Sequence, residues 1–303
     1  LIVFIVFAPV MLSAVILTVK QDGTGDFTEI QEAYLAASSG DTVLVFPGIY
    51  YENLQIYRSI DITLGSLFLT SQDRSYIKNT IINGNQNGSC VFISSTFDKE
   101  INISGFTLTN GSGHGGLYRG GGIYVKNANS VSIASNIIKN NTAAAGGGIL
   151  VVSSNIVISD NTICHNRAIA AGGGIYNLWE STIEFDTLNK NSIYLNYSPI
   201  AMDIGKISYS GPMDIILDTC TVLEPDNYFI YSFNTKNFPN NDITISIDHG
   251  KIKPVNSHLY VDPENGNDKN DGLTPETALK TVSWACSKVA SDSTNPLNIY
   301  LMD

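Results

Sequence analysis

Five residues able to carry or move a proton or a charge fall at related points of a repeated unit: Asp160, His165, Arg167, Asp186 and Lys190. Stacked on consecutive turns they would meet as a base with charge partners, a set suited to acid–base chemistry. Polar residues are also the default in the loops of such repeats, so a solvated loop explains the same types without any catalysis. A second set is Tyr124, Leu150 and Tyr176 with Lys126. Strand alternation puts Ile123, Ile149 and Ile175 inside and these residues outside, where they would stack on sugar rings or pair with a protein surface. The alternative is a covering loop such as residues 198–211. A third set, Asp262, Asn267, Asp268 and Asp271 with Asn265 and Asn270, crowds hard oxygen ligands suited to Ca²⁺. Its spacing departs from a calcium loop, and an Asx-turn-rich linker is the better account, because these side chains readily bond their own backbone. None of these sets requires a cofactor.

The elements that must position these residues are legible as a repeat. Gly120-Gly-Gly-Ile-Tyr124, Gly146-Gly-Gly-Ile-Leu150 and Gly172-Gly-Gly-Ile-Tyr176 recur 26 residues apart, a period that signals a solenoid. Before the second and third copies stand Val131-Ser-Ile133-Ala-Ser-Asn136-Ile-Ile138-Lys-Asn-Asn141 and Ile156-Val-Ile158-Ser-Asp-Asn161-Thr-Ile163-Cys-His-Asn166. A degraded copy follows as Ile183-Glu-Phe185-Asp186-Thr-Leu188-Asn-Lys-Asn191. Each unit reads as three short strands and three bends, with Asn136 and Asn161 as left-handed corners. The upstream Ile101-Asn-Ile103-Ser-Gly105-Phe106-Thr-Leu108 fits the template, with Leu108 in the column of Ile138 and Ile163. The expected fold is all-β, a right-handed parallel β-helix.

In 303 residues, 43% are hydrophobic and 15% charged, with a mean hydropathy of +0.06, which is ample for a folded core. A net charge of −11 with four arginines argues against nucleic-acid or anionic-membrane partners. Residues 1–17 are almost wholly apolar and read as a signal peptide cut near Ala14; a membrane anchor needs about 20 apolar residues. The missing initiator Met fits a fragment. Cys90, Cys164, Cys220 and Cys286 lack metal-site or redox spacing and read as inward thiols, with one disulfide possible in an oxidising compartment.

At the N-terminal end, Thr28 and Gln31 form a capping box for a helix burying Ile30, Tyr34 and Ala37, a lid over the open solenoid end. Gly23-Thr-Gly-Asp-Phe-Thr-Glu-Ile-Gln-Glu-Ala33, Gly40-Asp-Thr-Val-Leu-Val45 and Pro47-Gly-Ile-Tyr-Tyr-Glu52 resemble the opening of the pectin-lyase-like superfamily, pectin methylesterases in particular. The coils resemble bacterial surface β-helix proteins and polymorphic outer-membrane protein repeats, with Ile138–Asn141, Ile163–Asn166 and Leu188–Asn191 in the Phe-x-x-Asn role. The resemblance covers about residues 18–200. It implies a site of paired aspartates, glutamines and an arginine, but the phrases that carry that site are missing from the later coils. Gly113-His114-Gly115 echoes a polygalacturonase phrase without a second acid, and Ile247-Asp248-His249 a pectate-lyase phrase without its arginine motif.

Leu259-Tyr-Val261 through Ala285 restates the opening: Val282 answers to Ile30, Ala285 to Ala33 and Ile299-Tyr-Leu301 to Val43-Leu-Val45. The organisation read from this is 1–17 leader, 18–204 β-helix, 205–256 closing strands and linker, and 257–303 the truncated start of a second β-helix. The function expected is a secreted or cell-surface module of a tandem protein, a monomer within a longer chain. It would bind polysaccharide or a cell-surface glycan without catalysis. The alternative is a lyase or pectinesterase-like enzyme acting on uronate-rich polymers.

Overall fold

Alternation in Val131-Ser-Ile133 and Ile156-Val-Ile158 sends every second side chain to one face, and identical spacing in successive units stacks those side chains in columns. The computed structural model describes residues 14–94, 96, 98–115, 119–207, 212–233, 243–290 and 294–303. It shows the expected right-handed parallel β-helix, a solenoid of about 8 turns with three parallel sheets.

The first sheet runs from strand Ile16–Val19 through Ser130–Ala134 to Thr182–Phe185; the second runs from Gly48–Tyr50 through Ile137–Lys139 to Ile243–Gly250; the third runs from Leu54–Ile56 through Ile123–Lys126 to Ile230–Phe233. Three columns fill the interior. Leu64, Ile103, Ile133, Ile158 and Phe185 come from the first sheet, and Ile82, Leu108, Ile138, Ile163, Ile193 and Cys220 from the second. Val91, Ile123, Ile149, Ile175, Ile204 and Ile230 come from the third. All are buried. At the C-terminal end one inner row of the third sheet turns polar, where Val125 and Val151 are followed by Asn177 and Lys206, both buried.

The asparagines do something other than the corner role expected of them. The left-handed residues are those just before them: Ser135, Asn140, Asp160, His165 and Leu195 all have φ between 52° and 56°. The turn therefore swings the asparagine side chain inward. Asn136, Asn161 and Asn191 form one buried ladder, and Asn141, Asn166 and Asn196 another. Past the first member of each, Oδ1 accepts the backbone N–H and side-chain amide of the coil before, as Asn161 Oδ1 does from Asn136 at 3.0 and 3.2 Å. Each Nδ2 then donates to a backbone carbonyl, Asn161 to Ile133 at 2.7 Å. Burying an amide is tolerable only when its donors and acceptors are met.

The third copy is also registered differently. Asn191, not Asp186, continues the first ladder; Ile193 and Asn196 take the role expected of Leu188 and Asn191. Residues 186–190 are an insertion whose Leu188 is 90% exposed.

The glycine triplets explain a further departure. Gly120, Gly146 and Gly172 have φ of 61°, 64° and 67°, and a Cβ on any of them would meet the Cβ of Tyr124, Leu150 or Tyr176. The chain therefore folds its own turn onto the outward side chains. A Cβ on Gly147 would stand 2.5 Å from the Gly173 carbonyl oxygen and 2.6 Å from Arg167 backbone.

The capping helix Ile30–Ala36 buries Ile30, Ala33 and Tyr34, with Ala37 buried just beyond it. It has no capping box: the Glu52 carboxylate receives the Ile30 and Gln31 N–H groups at 2.9 and 2.8 Å. Residues 1–13, with most of the expected leader, lie outside the described residues; Ile16 and Leu17 already pair with Thr42 and Val43. Strands Ile204–Ile207, Met213–Cys220, Ile230–Phe233 and Ile243–Gly250 extend the second and third sheets. Beyond them Leu259–Val261 and Ile299–Leu301 pair in parallel, with helix Val282–Lys288 between them in sequence and a core of Leu259, Val261, Leu279 and Ala285.

Gly147→Ala should lower the melting temperature by roughly 10 °C, a loss on the order of several kcal/mol, since no rotamer relieves a backbone clash. Circular dichroism melts against Gly23→Ala, a left-handed glycine with open space around it, separate coil stacking from backbone strain.

Candidate functional site

The outer face of the second sheet carries the richest polar chemistry. Thr162 and Ser192 point outward from adjacent strands Thr162–Cys164 and Asn191–Tyr194. In the next strand a bulge sets Asn191 against Leu217 and Ser192 against Thr219, so Asp218 is the extra residue. A bulge re-aims side chains, and Asp218 is bonded by Ser192 Oγ at 3.2 Å and Thr219 Oγ1 at 2.7 Å, with His249 Nδ1 at 3.5 Å. The Thr219 hydroxyl first, then Ser192 and His249, hold its carboxyl below the usual range against some burial. Asp218 thus stays an acceptor at neutral pH.

Two excursions wall this strip. Residues 67–79, with the short helices Phe68–Ser71 and Ser75–Asn79, bring Arg74 onto Asp160 in a two-pronged pair at 2.8 and 3.1 Å. The 186–190 insertion brings Lys190 onto Asp248 at 2.7 Å. Ser135 Oγ also donates to Asp160, at 2.8 Å. The result is a groove of about 520 Å³ with Arg74, Asp160, Lys190, Asp218 and Asp248 around the Thr162–Ser192 floor.

The five expected catalytic residues do not converge. Asp160 and Lys190 share the groove. Asp186 instead closes its own turn, accepting the Leu188 and Asn189 N–H groups at 2.7 and 2.8 Å. His165 and Arg167 stand at the far end of the same strands, lining a separate cleft. The reason is geometric: Asp160 and His165 occupy two different left-handed corners of one coil, five residues apart.

The expected outer row on the third sheet is overturned. Tyr124, Leu150 and Tyr176 are buried, in a minor core with Val152, Leu178 and Ala171. The glycine turns and the strand pair Thr142–Ala145 and Arg167–Ala171 double back beside them, and burial pushes the Tyr176 phenol up. His114 stacks on Phe92 at 3.9 Å in the same layer. Lys126 alone of that set is exposed; residues 208–211 of the expected covering loop lie outside the described residues.

The acidic stretch near 262–271 is organised as turns. Asp262 accepts Glu264 and Asn265 N–H groups, Asn267 that of Lys269, and Asp271 that of Leu273. Asp268 accepts the Lys280 and Thr281 N–H groups ahead of helix Val282–Lys288. Among the described residues no three His, Cys, Asp or Glu side chains come together as a metal site. All four cysteines are free thiols; Cys286 is exposed and Cys164 faces outward beside Tyr194, against the inward expectation.

Arg74, Asp218, buried Lys206 and a buried carboxyl, Asp203, all escaped sequence reasoning. Asp203 is fully buried and ends the second asparagine ladder, accepting Asn196 Nδ2 at 3.0 Å, with the Cys220 thiol at 3.5 Å. Burial is the main cause that pushes its carboxyl up to about 6, against partial relief from Thr221 and Asn196. Its signal was present as an Asp in an Asn column, hidden because the third copy is broken by its insertion.

A family profile described as "Protein of unknown function (DUF1565)" matches residues 64–216. The chain belongs to this family. The matched span holds the Arg74 excursion, both ladders and most of the groove, all but Asp218 and Asp248. A comparison with curated proteins finds no match. Among solved structures, a pectin methylesterase from carrot is similar at 13% identity over 80% of this chain and 84% of that one, with a TM-score of 0.37. A point mutant of a pectin methylesterase, in complex with a hexasaccharide, has 13% identity over 91% and 95% of the two chains, with a TM-score of 0.35. The enzyme from Aspergillus niger has 13% identity over 92% and 96%, at 0.32. Among the described residues no helix is long and apolar enough to cross a membrane.

Because the Asp203 carboxyl is raised in the folded state, it binds its proton more tightly there than in the unfolded chain, whose value is about 3.9. Its stabilising share is full below about pH 4 and is lost as pH rises through about 6. Asp203→Asn should flatten that part of the melting-temperature profile and raise stability at pH 7, as read by calorimetry from pH 4 to 8.

Proposed function

We propose that this chain is a non-catalytic binding module for carbohydrate chains, acting outside the cell, with the outer groove of the second sheet as its binding surface. The observation that carries this reading is the pairing of two ion pairs, Arg74–Asp160 and Lys190–Asp248, around a hydroxyl floor. Hydroxylated rings present many donors and acceptors at once. Side chains already fixed by partners lose little freedom when they bind such a ligand.

A binding role also suits the acid–base character of the groove. Asp218 is held low by its hydroxyl neighbours, whereas a general acid is tuned upward toward the working pH. Among the described residues the carboxyls that burial raises are Glu52, at the capping helix, and Asp203, sealed beneath the surface, and neither lines the groove. The β-helix supports this use by giving a flat, regular face along which an extended chain lies. Secretion is supported by the apolar start of the chain.

The test is a panel of plant, algal and bacterial polysaccharides measured by affinity electrophoresis, with ultraviolet absorbance and methanol assays for lyase and esterase products in parallel. Binding without product release is expected, and Lys190→Ala should weaken it about tenfold, near 1.4 kcal/mol, with an unchanged melting temperature. Product release lost on changing Asp160 or Lys190 would replace the reading with an enzymatic one; no binding anywhere would end it.

A further inference from the structure

Between the last coils and helix Val282–Lys288 lies a second cavity, a cleft of about 540 Å³. We propose that this cleft is a subsite of the same binding surface, in which one sugar ring of a bound chain is held between Trp284 and the Tyr197–Arg167 pair. The inference rests on the groove reading and extends it to a site completed by the C-terminal unit.

Four observations carry it. The first is continuity. Thr162, Ser192 and Asp218 line the groove, and His165, Leu195 and Thr221, each three residues further on and just past the ends of the same strands, line the cleft. At a rise near 3.3 Å per residue this is about 10 Å, a span that one extended chain crosses. Between the two cavities lies Tyr194, with Lys251 Nζ 4.6 Å from its ring centre.

The second is the kind of surface. Trp284 comes from the C-terminal unit and Tyr197 from the solenoid, and the Arg167 guanidinium sits 5.5 Å from the Tyr197 ring centre. Aromatic faces take the apolar face of a sugar ring, and a guanidinium fixed over an aromatic ring presents its N–H edge to oxygens. The volume falls in the range of small-ligand sites, which favour junctions between units.

The third is an unmet donor. Trp284 Nε1–H is buried with no hydrogen-bond partner. Leaving such a group unpaired is costly, and a turn of the indole toward the cleft would let an oxygen on a seated ring answer it.

The fourth is that the wall is held in place. Thr221 Oγ1 accepts the Leu195 N–H at 2.7 Å, Asn196 is bonded to buried Asp203, and the Tyr228 and Ser283 hydroxyls meet at 3.1 Å across the junction. The acidic lining residue, Asp268, has its oxygens on Lys280 N, Thr281 N and Thr281 Oγ1. It serves the helix, leaving Arg167 and the ring faces for a ligand.

The experiment is isothermal titration of the whole chain with cello-, xylo- and galacturono-oligosaccharides of increasing length. For the series that binds, affinity should step up about tenfold at the length that first reaches both cavities. Trp284→Ala should abolish that step, and Trp284→Phe, which keeps the stacking face but not the N–H, should restore part of it. Lys190→Ala should weaken short and long chains alike. In a Trp179→Phe background, which leaves Trp284 as the sole indole, the long chains should change the emission and the short ones should not. A smooth length dependence that Trp284→Ala follows in parallel overturns the subsite while leaving the groove. Failure of every series to bind overturns the groove reading and the subsite with it.

Discussion

The asparagine ladders are the constraint on which the rest of this solenoid depends. An amide inside a β-helix meets its hydrogen-bonding needs only if the next coil presents an equivalent group at the same height. Asn136, Asn161 and Asn191 do this at one corner, and Asn141, Asn166 and Asn196 at the next. Slipping one coil by a residue would bury unpaired amides and turn that coil's isoleucines outward, so corner and core enforce the same register. The turn residue before every ladder asparagine but Asn191 carries the backbone cost of that arrangement in its positive φ.

With the register fixed, variation is pushed into excursions, and these shape the surface. Residues 67–79 and 186–190 leave the coil path and return, walling the second sheet and carrying Arg74 and Lys190 to partners far away in sequence. The glycine triplets work the other way: by bending the chain back on itself they convert the outer face of the third sheet into a second, smaller core. One face is therefore sealed with apolar side chains while another stays open and charged.

The C-terminal unit repeats the strand, helix and strand plan of the N-terminal cap, but the two helices are anchored differently. Glu52, from beyond the following strands, holds the first N-terminus, while Asp268, from the preceding loop, stands before the second and Thr281 caps it. Glu52 answers N–H groups of its helix's first turn, whereas Asp268 holds the two residues that lead into the second helix. Packing the second helix beside the last coils brings an indole next to an arginine and a tyrosine of the solenoid. That gives the junction a cleft lined by side chains of both units.

Much of this was written in the chain itself. The 26-residue spacing, the alternation in each strand and the placement of Leu108 with Ile138 and Ile163 follow from period and polarity alone. They do so because a solenoid makes its contacts between neighbouring repeats, so local pattern and tertiary contact coincide. Tertiary structure decided the rest wherever contacts skip the repeat. It showed that Asp186 closes its own turn, that Leu188 belongs to an insertion, and that Tyr124 and Tyr176 are covered. It also joined Arg74 to Asp160 across 86 residues and buried Asp203 at the end of an asparagine column. Sequence spacing records which face of a strand a side chain takes, but what lies over that face depends on where the chain returns.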